Sequence, residues 1–133
     1  MKYVSILLLS LALLMAACSS GPLVTLGDPQ PEGVVVEQVT AGKIHLGFVR
    51  YLDTYVSLEV EFARKMNSSP KEGFQTILVK HSYGQWYVLV KEGLYKTEIS
   101  KLKKGKTIRI CGRVAASRLP TDDQSKITII IDK

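Results

Sequence analysis

The pattern that decides the fold runs from QWYVLVK (85–91) through YKTEISKLKK (95–104) to KTIRICGRV (106–114) and KITIIID (126–132). In the first, third and fourth of these segments apolar and polar residues largely alternate, which is typical of strands with one buried face. In the second segment Tyr95, Ile99 and Leu102 recur at helical spacing, and Gly105 follows as a residue suited to the left-handed end of a helix. The order predicted is strand, short helix, strand, strand.

Four further strands are predicted upstream, at 34–39, 44–51, 55–63 and 76–80. The strand over 55–63 is the clearest, because every second residue from Val56 to Phe62 is hydrophobic and the residues between them include Glu59 and Glu61. The strand over 76–80 is predicted to join the strand over 85–91 through a turn at residues 81–84. These elements form one domain without an internal repeat.

The order of these elements resembles an OB-fold, a five-stranded Greek-key barrel. Residues 95–104 are similar to the helix that OB-folds place between strands 3 and 4, and residues 106–114 are similar to strand 4. The resemblance implies an all-β domain with one short helix, built as a small OB-fold-like barrel of five to six strands. The hairpin around Tyr83 and Gly84 is additional to the minimal five strands. A half-open β-sandwich is the alternative.

The first 17 residues are predicted to be a signal peptide. Lys2 begins an apolar stretch that ends in Ala16-Ala17, and this stretch is shorter than the ~20 apolar residues of a membrane-spanning helix. The residues Leu14-Met15-Ala16-Ala17-Cys18 resemble the lipobox of bacterial lipoproteins, although leucine is commoner where Met15 stands. The resemblance implies cleavage before Cys18 and lipidation of Cys18. The alternative is an exported protein that is cut elsewhere.

The same resemblance implies a location. In lipoproteins of bacteria with two membranes an Asp after the lipidated cysteine favours retention in the inner membrane, so Ser19 implies the outer membrane, with the domain in the periplasm. Two or more acyl chains are what stable anchoring requires. Residues 18–33 are rich in proline and glycine and are predicted to be a tether, although Leu23, Val24 and Leu26 could pack on the domain or on a partner. Residues 34–133 are predicted to be the barrel domain.

Composition narrows the classes of function. The 133 residues carry 18 Lys and Arg against 12 Asp and Glu, a net charge of +6 that falls to +5 when residues 1–17 and their one lysine are removed. This length allows one domain of ordinary size. The two cysteines are too few for a thiolate zinc cage or a disulfide framework. If Cys18 is acylated, Cys111 is the only thiol left.

Two groups of residues are candidate binding sites. The first is a basic patch after the predicted helix, at Lys101, Lys103, Lys104 and Lys106. It could contact phosphates of lipid head groups, lipopolysaccharide or nucleic acid, or it could simply complement the carboxyl end of that helix on a solvated loop face. The second is a basic and aromatic strand face, at Arg109, Arg113, Tyr87 and Lys91. OB-folds bind oligonucleotides or oligosaccharides on such surfaces.

Catalytic and metal chemistry find little support in the residues. Cys111 is predicted to lie beside two arginines, which favour a reactive thiolate, but a small buried residue is the simpler interpretation. His45 and His81 have no metal-site spacing, and no serine lies in a nucleophile elbow. We predict no catalytic residues, no metal and no cofactor.

The sequence therefore predicts a non-enzymatic outer-membrane lipoprotein that serves as a binding or scaffolding module in the cell envelope. Its membrane contact would be the N-terminal lipid, and its partner another envelope protein in a secretion, transport or surface assembly. The alternative is a binder of an anionic or glycan ligand through the basic and aromatic face. Nucleic acid is disfavoured, because an exported protein rarely meets it and Glu59 and Glu61 would repel phosphate.

Overall fold

The computed structural model describes residues 23–69, 71–116 and 127–133. The predicted signal peptide and Cys18 lie outside these residues. The described strands are β1 Thr25–Leu26, β2 Glu37–Gln38, β3 Tyr55–Lys65, β4 Phe74–His81, β5 Gly84–Lys91, β6 Thr107–Ala116 and β7 Ile127–Ile131. The described helices are α1 Ala41–Leu46, α2 Phe48–Tyr51 and α3 Lys96–Ser100. In this part of the chain no helix has the length and hydrophobicity to cross a membrane.

Five strands close into a barrel in the order β3, β4, β5, β7 and β6, with β6 pairing back onto β3. The closing pair is antiparallel and runs from Tyr55 opposite Arg113 to Glu61 opposite Thr107. Within the barrel only β5 and β7 are parallel. This is the OB-fold topology, with α3 between the third and fourth barrel strands. The barrel is closed, and the β4–β5 hairpin supplies its second and third strands rather than an addition to them.

The inward faces of the strands are the ones that alternation predicts. In β3 the core receives the even residues from Val56 to Phe62, and in β5 it receives Trp86, Val88 and Val90. Strand β7 contributes its odd isoleucines, from Ile127 to Ile131, which are at most 4% exposed. Burial of this kind stabilises a domain by ~25 cal/mol for each Å² of apolar surface removed from water.

The prediction of a strand over residues 44–51 is wrong, because this stretch forms α1 and α2. Ala41, Ile44, Phe48 and Tyr51 recur at spacings of three, four and three residues, and this helical stripe faces the core. Thr40 caps α1, since its Oγ1 accepts a hydrogen bond from the Lys43 amide at 3.3 Å. The described residues therefore form three short helices in place of the one predicted.

The segment before the barrel packs on it more extensively than a tether would. Leu26 is fully buried, and β1 pairs in parallel with β6, placing Thr25 opposite Arg109. Of the strand predicted over 34–39, only Glu37–Gln38 forms, and it pairs in parallel with the start of β3. The described part of the predicted tether therefore reaches the domain by Thr25.

Helix α3 is shorter than the helix predicted over 95–104. It ends at Ser100, so no basic residue lies in its last turn, and the lysines of the basic patch belong to the connection that follows. Gly105 adopts the left-handed conformation expected of it (φ +86°), and its amide donates to the Phe62 carbonyl. Lys101 caps the carboxyl end of α3, so the interpretation of the lysines as complements of the helix dipole applies to Lys101 and stays a prediction for the others.

Candidate binding surfaces

The barrel has two ends that differ in chemistry. We call the first the helical end, comprising residues 40–52 and 81–84, which hold α1, α2 and the β4–β5 turn. We call the second the lysine end, comprising residues 101–106 between α3 and β6. Backbone hydrogen bonds place the two ends at opposite ends of the β3–β6 pair. The Asp53 amide donates to the Val114 carbonyl at one end, and the Phe62 amide donates to the Lys106 carbonyl at the other.

An open groove of about 570 Å³ is lined by residues of β2, the start of α1, the middle of β3, the end of β4 and β6. Its cationic lining residues are Lys43, Lys80 and Arg109, and its carboxylate is Glu59. Within the described residues the ion pairs involve Arg109 and Arg113, so neither lysine is paired there. The groove therefore offers hydrogen-bond donors and positive charge in excess.

Arg109 holds the wall of this groove together. Its guanidinium donates to Gln38 Oε1 at 3.2 Å, to Ser57 Oγ at 3.0 Å and to Glu59 Oε1 at 2.9 Å. These contacts tie β2 and β3 to β6. Because three of its five N–H groups are already used within the protein, Arg109 acts here chiefly as a structural link.

The predicted ligand face is not assembled as one surface. Arg113 forms an ion pair at 3.1 Å with Asp53, just before the start of β3. Arg109 forms one with Glu59 in the middle of β3. Tyr87 and Lys91 lie on β5, which β7 separates from β6. The four residues thus divide between two sides of the barrel, and the groove brings Lys43 and Lys80 to Arg109 in their place.

The outer face of β4, β5 and β7 is the surface on which many OB-folds bind single strands. Here the residues that point away from the core on these strands include a buried group, consisting of Thr76, Leu78, Leu89, Thr128 and Ile130, each at most 8% exposed. The same face carries the half-buried Phe74 and Tyr87 and the exposed Lys80 and Lys91. Stacking on bases needs accessible aromatic rings and cations. This face has the cations, and its two aromatic residues are half-buried.

His45 and His81 meet at the helical end, although they are distant in the sequence. Their ring centroids lie 5.9 Å apart, Tyr83 stacks on His45 at 5.1 Å, and Trp86 lies 4.2 Å from His81. His81 Nδ1 accepts the Tyr83 amide hydrogen, so the proton of the neutral ring is on Nε2, which is buried and without a partner among the described residues. A ring in this state has no lone pair left for a metal, and no described group of three or more His, Cys, Asp or Glu residues could hold one.

Acid should weaken the helical end through His81. Burial, and secondarily the nearby His45, lowers the pKa of His81 below its ordinary value of 6.5. The unfolded chain then binds a proton more readily than the folded one, so stability is full above about pH 6.5 and is lost as the pH falls below it. We expect His81→Asn, which keeps an acceptor for the Tyr83 amide, to flatten the decline in unfolding free energy between neutral and acidic pH. Equal declines in both proteins, measured by urea unfolding, would refute this.

Cys111 is fully buried, and its Sγ lies 3.5 Å from Ser57 Oγ. Burial favours the interpretation of this residue as a small packing element over that of a reactive thiol. Next to Cys111, the Tyr55 hydroxyl donates to the Asp28 carbonyl at 2.9 Å and lies 3.3 Å from the Cys111 carbonyl oxygen. Tyr55 thereby fastens the segment after β1 to the barrel.

Tyr55→Phe should lower the unfolding free energy by about 1–2 kcal/mol, because it leaves a partly buried carbonyl without its donor. Burial, with smaller contributions from Cys111 and Asp28, raises the pKa of Tyr55 to about 12. The folded state therefore favours the protonated phenol, and stability is lost as the pH rises from the ordinary value of 10 toward 12. The variant should lack this alkaline loss. Tyr83→Phe, at a ring 54% exposed, is the control and should change stability by less than about 0.5 kcal/mol.

Comparison with known proteins gives the fold class. No protein-family model and no curated protein matches the chain. It is similar to a putative aspartyl-tRNA synthetase from Leishmania major Friedlin (12% identity, TM-score 0.57, covering 93% of this chain and 25% of that one). It is also similar to the aspartyl tRNA synthetase from Entamoeba histolytica (13% identity, TM-score 0.54, covering 84% and 24%). An OB domain from Thermoplasma acidophilum matches at 12% identity and a TM-score of 0.44, covering 71% and 78%.

The chain thus spans about a quarter of the length of the two synthetases. At these identities the likeness concerns the fold alone. Together with the strand order it establishes a β-barrel of the OB-fold class.

Proposed function

We propose that this protein is a lipid-anchored, non-enzymatic binding module of the bacterial cell envelope, carried on the outer membrane by acylated Cys18. Its partner is another envelope protein, which it binds through the helical end of the barrel. The lipobox-like residues 14–18 support the anchor. The exposed apolar side chains of the helical end support the partner.

The observation that carries the proposal is a set of large apolar side chains left in solvent at this end. Leu46 is 75% exposed, Val49 is 81% exposed and Tyr83 is 54% exposed. Leu46 and Val49 lie on consecutive short helices, and Tyr83 stacks on His45 of the first helix. Apolar groups gathered on one surface and rimmed by charge mark protein interaction sites.

Charge defines the kind of partner. Residues 40–52 and 81–84 contain Lys43 and Arg50 and no carboxylate; of the residues that adjoin them, Lys80 is cationic and Asp53 forms an ion pair with Arg113. A partner surface with an apolar centre and an acidic rim would complement this arrangement, whereas phosphate-rich nucleic acid would leave the apolar side chains unused. The helical end thus favours an acidic protein surface.

The test is crosslinking in membranes that contain the full chain. A photoreactive residue at position 46 or 49 should give one discrete protein adduct, and Leu46→Asp should abolish the adduct formed from position 49. Val35, which is 85% exposed on the segment before β2, is the matched control position and should give none. Equal adducts from positions 35, 46 and 49, or no protein adduct from any of them, would refute the partner proposal.

A second candidate function is supported by the groove. Lys43 and Lys80 are unpaired within the described residues and line it together with Arg109, so it fits the carboxylate or phosphate of an anionic or glycan ligand. Titration with acidic oligosaccharides should show affinity that falls about tenfold in Lys43→Ala with Lys80→Ala. Lys71→Ala, outside the groove, should leave the affinity unchanged. Affinity that survives the double substitution would place the ligand elsewhere.

A further inference from the structure

We propose that the lysine end binds the surface of an anionic bilayer, so that the barrel stands on the membrane with its helical end turned away. This rests on the proposed lipidation of Cys18. It adds a contact surface, a ligand class and an orientation, because the lipid headgroups would be bound by the basic patch itself.

The path of the chain brings the anchor to this end. Strand β1 runs parallel to β6, and the Arg109 amide donates to the Val24 carbonyl at 2.9 Å. Leu23, the first described residue, therefore lies toward the start of β6, where Lys106 and the lysine end lie. The seven residue-to-residue steps from Cys18 to Thr25 span at most about 25 Å when fully extended. An acylated Cys18 thus keeps the lysine end close to the headgroups.

The charge of this end suits an anionic surface. All four lysines of the patch are exposed, and Arg64 and Lys65 add two exposed cations at the adjoining end of β3. Opposing them on α3 and β3 are the carboxylates of Glu98 and Glu61, and the described ion pairs involve none of these cations. A basic cluster next to a lipid anchor adds to membrane affinity through anionic headgroups.

Such a surface would also explain a feature that the fold itself does not. Lys101 caps the carboxyl end of α3, but Lys103, Lys104 and Lys106 follow it in a short connection where their mutual repulsion is unfavourable. Phosphate groups of a bilayer relieve this repulsion. The orientation leaves Leu46 and Val49 on the far side of the barrel, accessible to a partner protein.

Lysine footprinting of the full acylated chain on vesicles tests the proposal. The protein is reconstituted on vesicles containing phosphatidylglycerol, or on phosphatidylcholine alone, and treated with a membrane-impermeant amine reagent. On phosphatidylglycerol, labelling of the patch lysines should fall about fivefold, while Lys43 at the helical end serves as the internal control and stays unchanged. Raising the salt to about 1 M should restore the labelling. Equal labelling at both ends, or protection of Lys43 instead, would overturn the proposal.

Charge reversal separates this proposal from the anchor. Lys103→Glu with Lys104→Glu should remove the protection, whereas Lys43→Glu with Arg50→Glu at the helical end, which changes the net charge equally, should keep it. The intact mass of the same sample reports acylation of Cys18 independently. A chain without lipid whose lysine end is still protected contradicts the anchor alone. An acylated chain whose lysine end labels freely contradicts the bilayer contact alone.

Discussion

Replacing Gly112 with alanine should lower the free energy of unfolding by about 3 kcal/mol. A Cβ atom at this position would lie 2.6 Å from the Ile130 carbonyl oxygen and 2.9 Å from Ile129 Cγ2. Backbone forms part of this contact, so a simple side-chain rotation does not relieve it. The tight approach occurs where β6 changes partner, since β1 pairs with it through Ile110 and β7 pairs with it from Arg113 onward.

Gly33→Ala is the matched control for this substitution. Gly33 has a left-handed backbone (φ +73°), but nothing lies within 4 Å of the added Cβ. The cost there is conformational and should be about 1 kcal/mol. If chemical denaturation shows that Gly112→Ala costs no more than Gly33→Ala, then β6 and β7 do not pack as closely as described.

Trp86→Ala should lower the unfolding free energy by about 4 kcal/mol, which is a large part of the stability of a domain of this size. Trp86 is 1% exposed, belongs to the core cluster and contacts the His81 ring. Its removal leaves a cavity beneath the β4–β5 turn that forms one side of the helical end. The chain contains one tryptophan, so the variant has no tryptophan fluorescence to report unfolding. Circular dichroism is therefore the suitable probe.

Trp86→Phe separates the cavity from the loss of an aromatic ring. Phenylalanine refills part of the volume and keeps a ring beside His81, so it should cost less than half as much as alanine. Because His45 and Tyr83 belong to the same aromatic cluster, the alanine variant should also weaken the crosslink from position 46. A variant with unchanged stability would contradict the burial of Trp86.

The barrel was predictable because its signals are local. The alternation in β3, β5, β6 and β7 survives in the structure with the predicted faces inward, and the short helix lies between β5 and β6. Helices α1 and α2 were missed because Leu46 and Val49 are apolar yet exposed, so that alternation concealed the stripe formed by Ile44 and Phe48. The cap at Thr40 was the available signal.

The surfaces were less predictable because they depend on contacts between distant segments. Strand β1 contains only two residues, so no local sequence pattern predicts its pairing with β6. Arg109 looked like a ligand contact, but its partners Gln38 and Ser57 come from other strands and use its hydrogen bonds. Likewise, nothing in the sequence places His45 beside His81. The basic patch was visible from composition, whereas its position beside the entry of the chain required the barrel.

The most direct test of the account uses two photoreactive positions in membranes that carry the full chain. In the proposed orientation, position 104 in the lysine end lies against the bilayer, and position 46 in the helical end lies against a partner protein. This orientation predicts lipid adducts from position 104 and one discrete protein adduct from position 46. Lipid adducts from position 46 together with none from position 104 would contradict it.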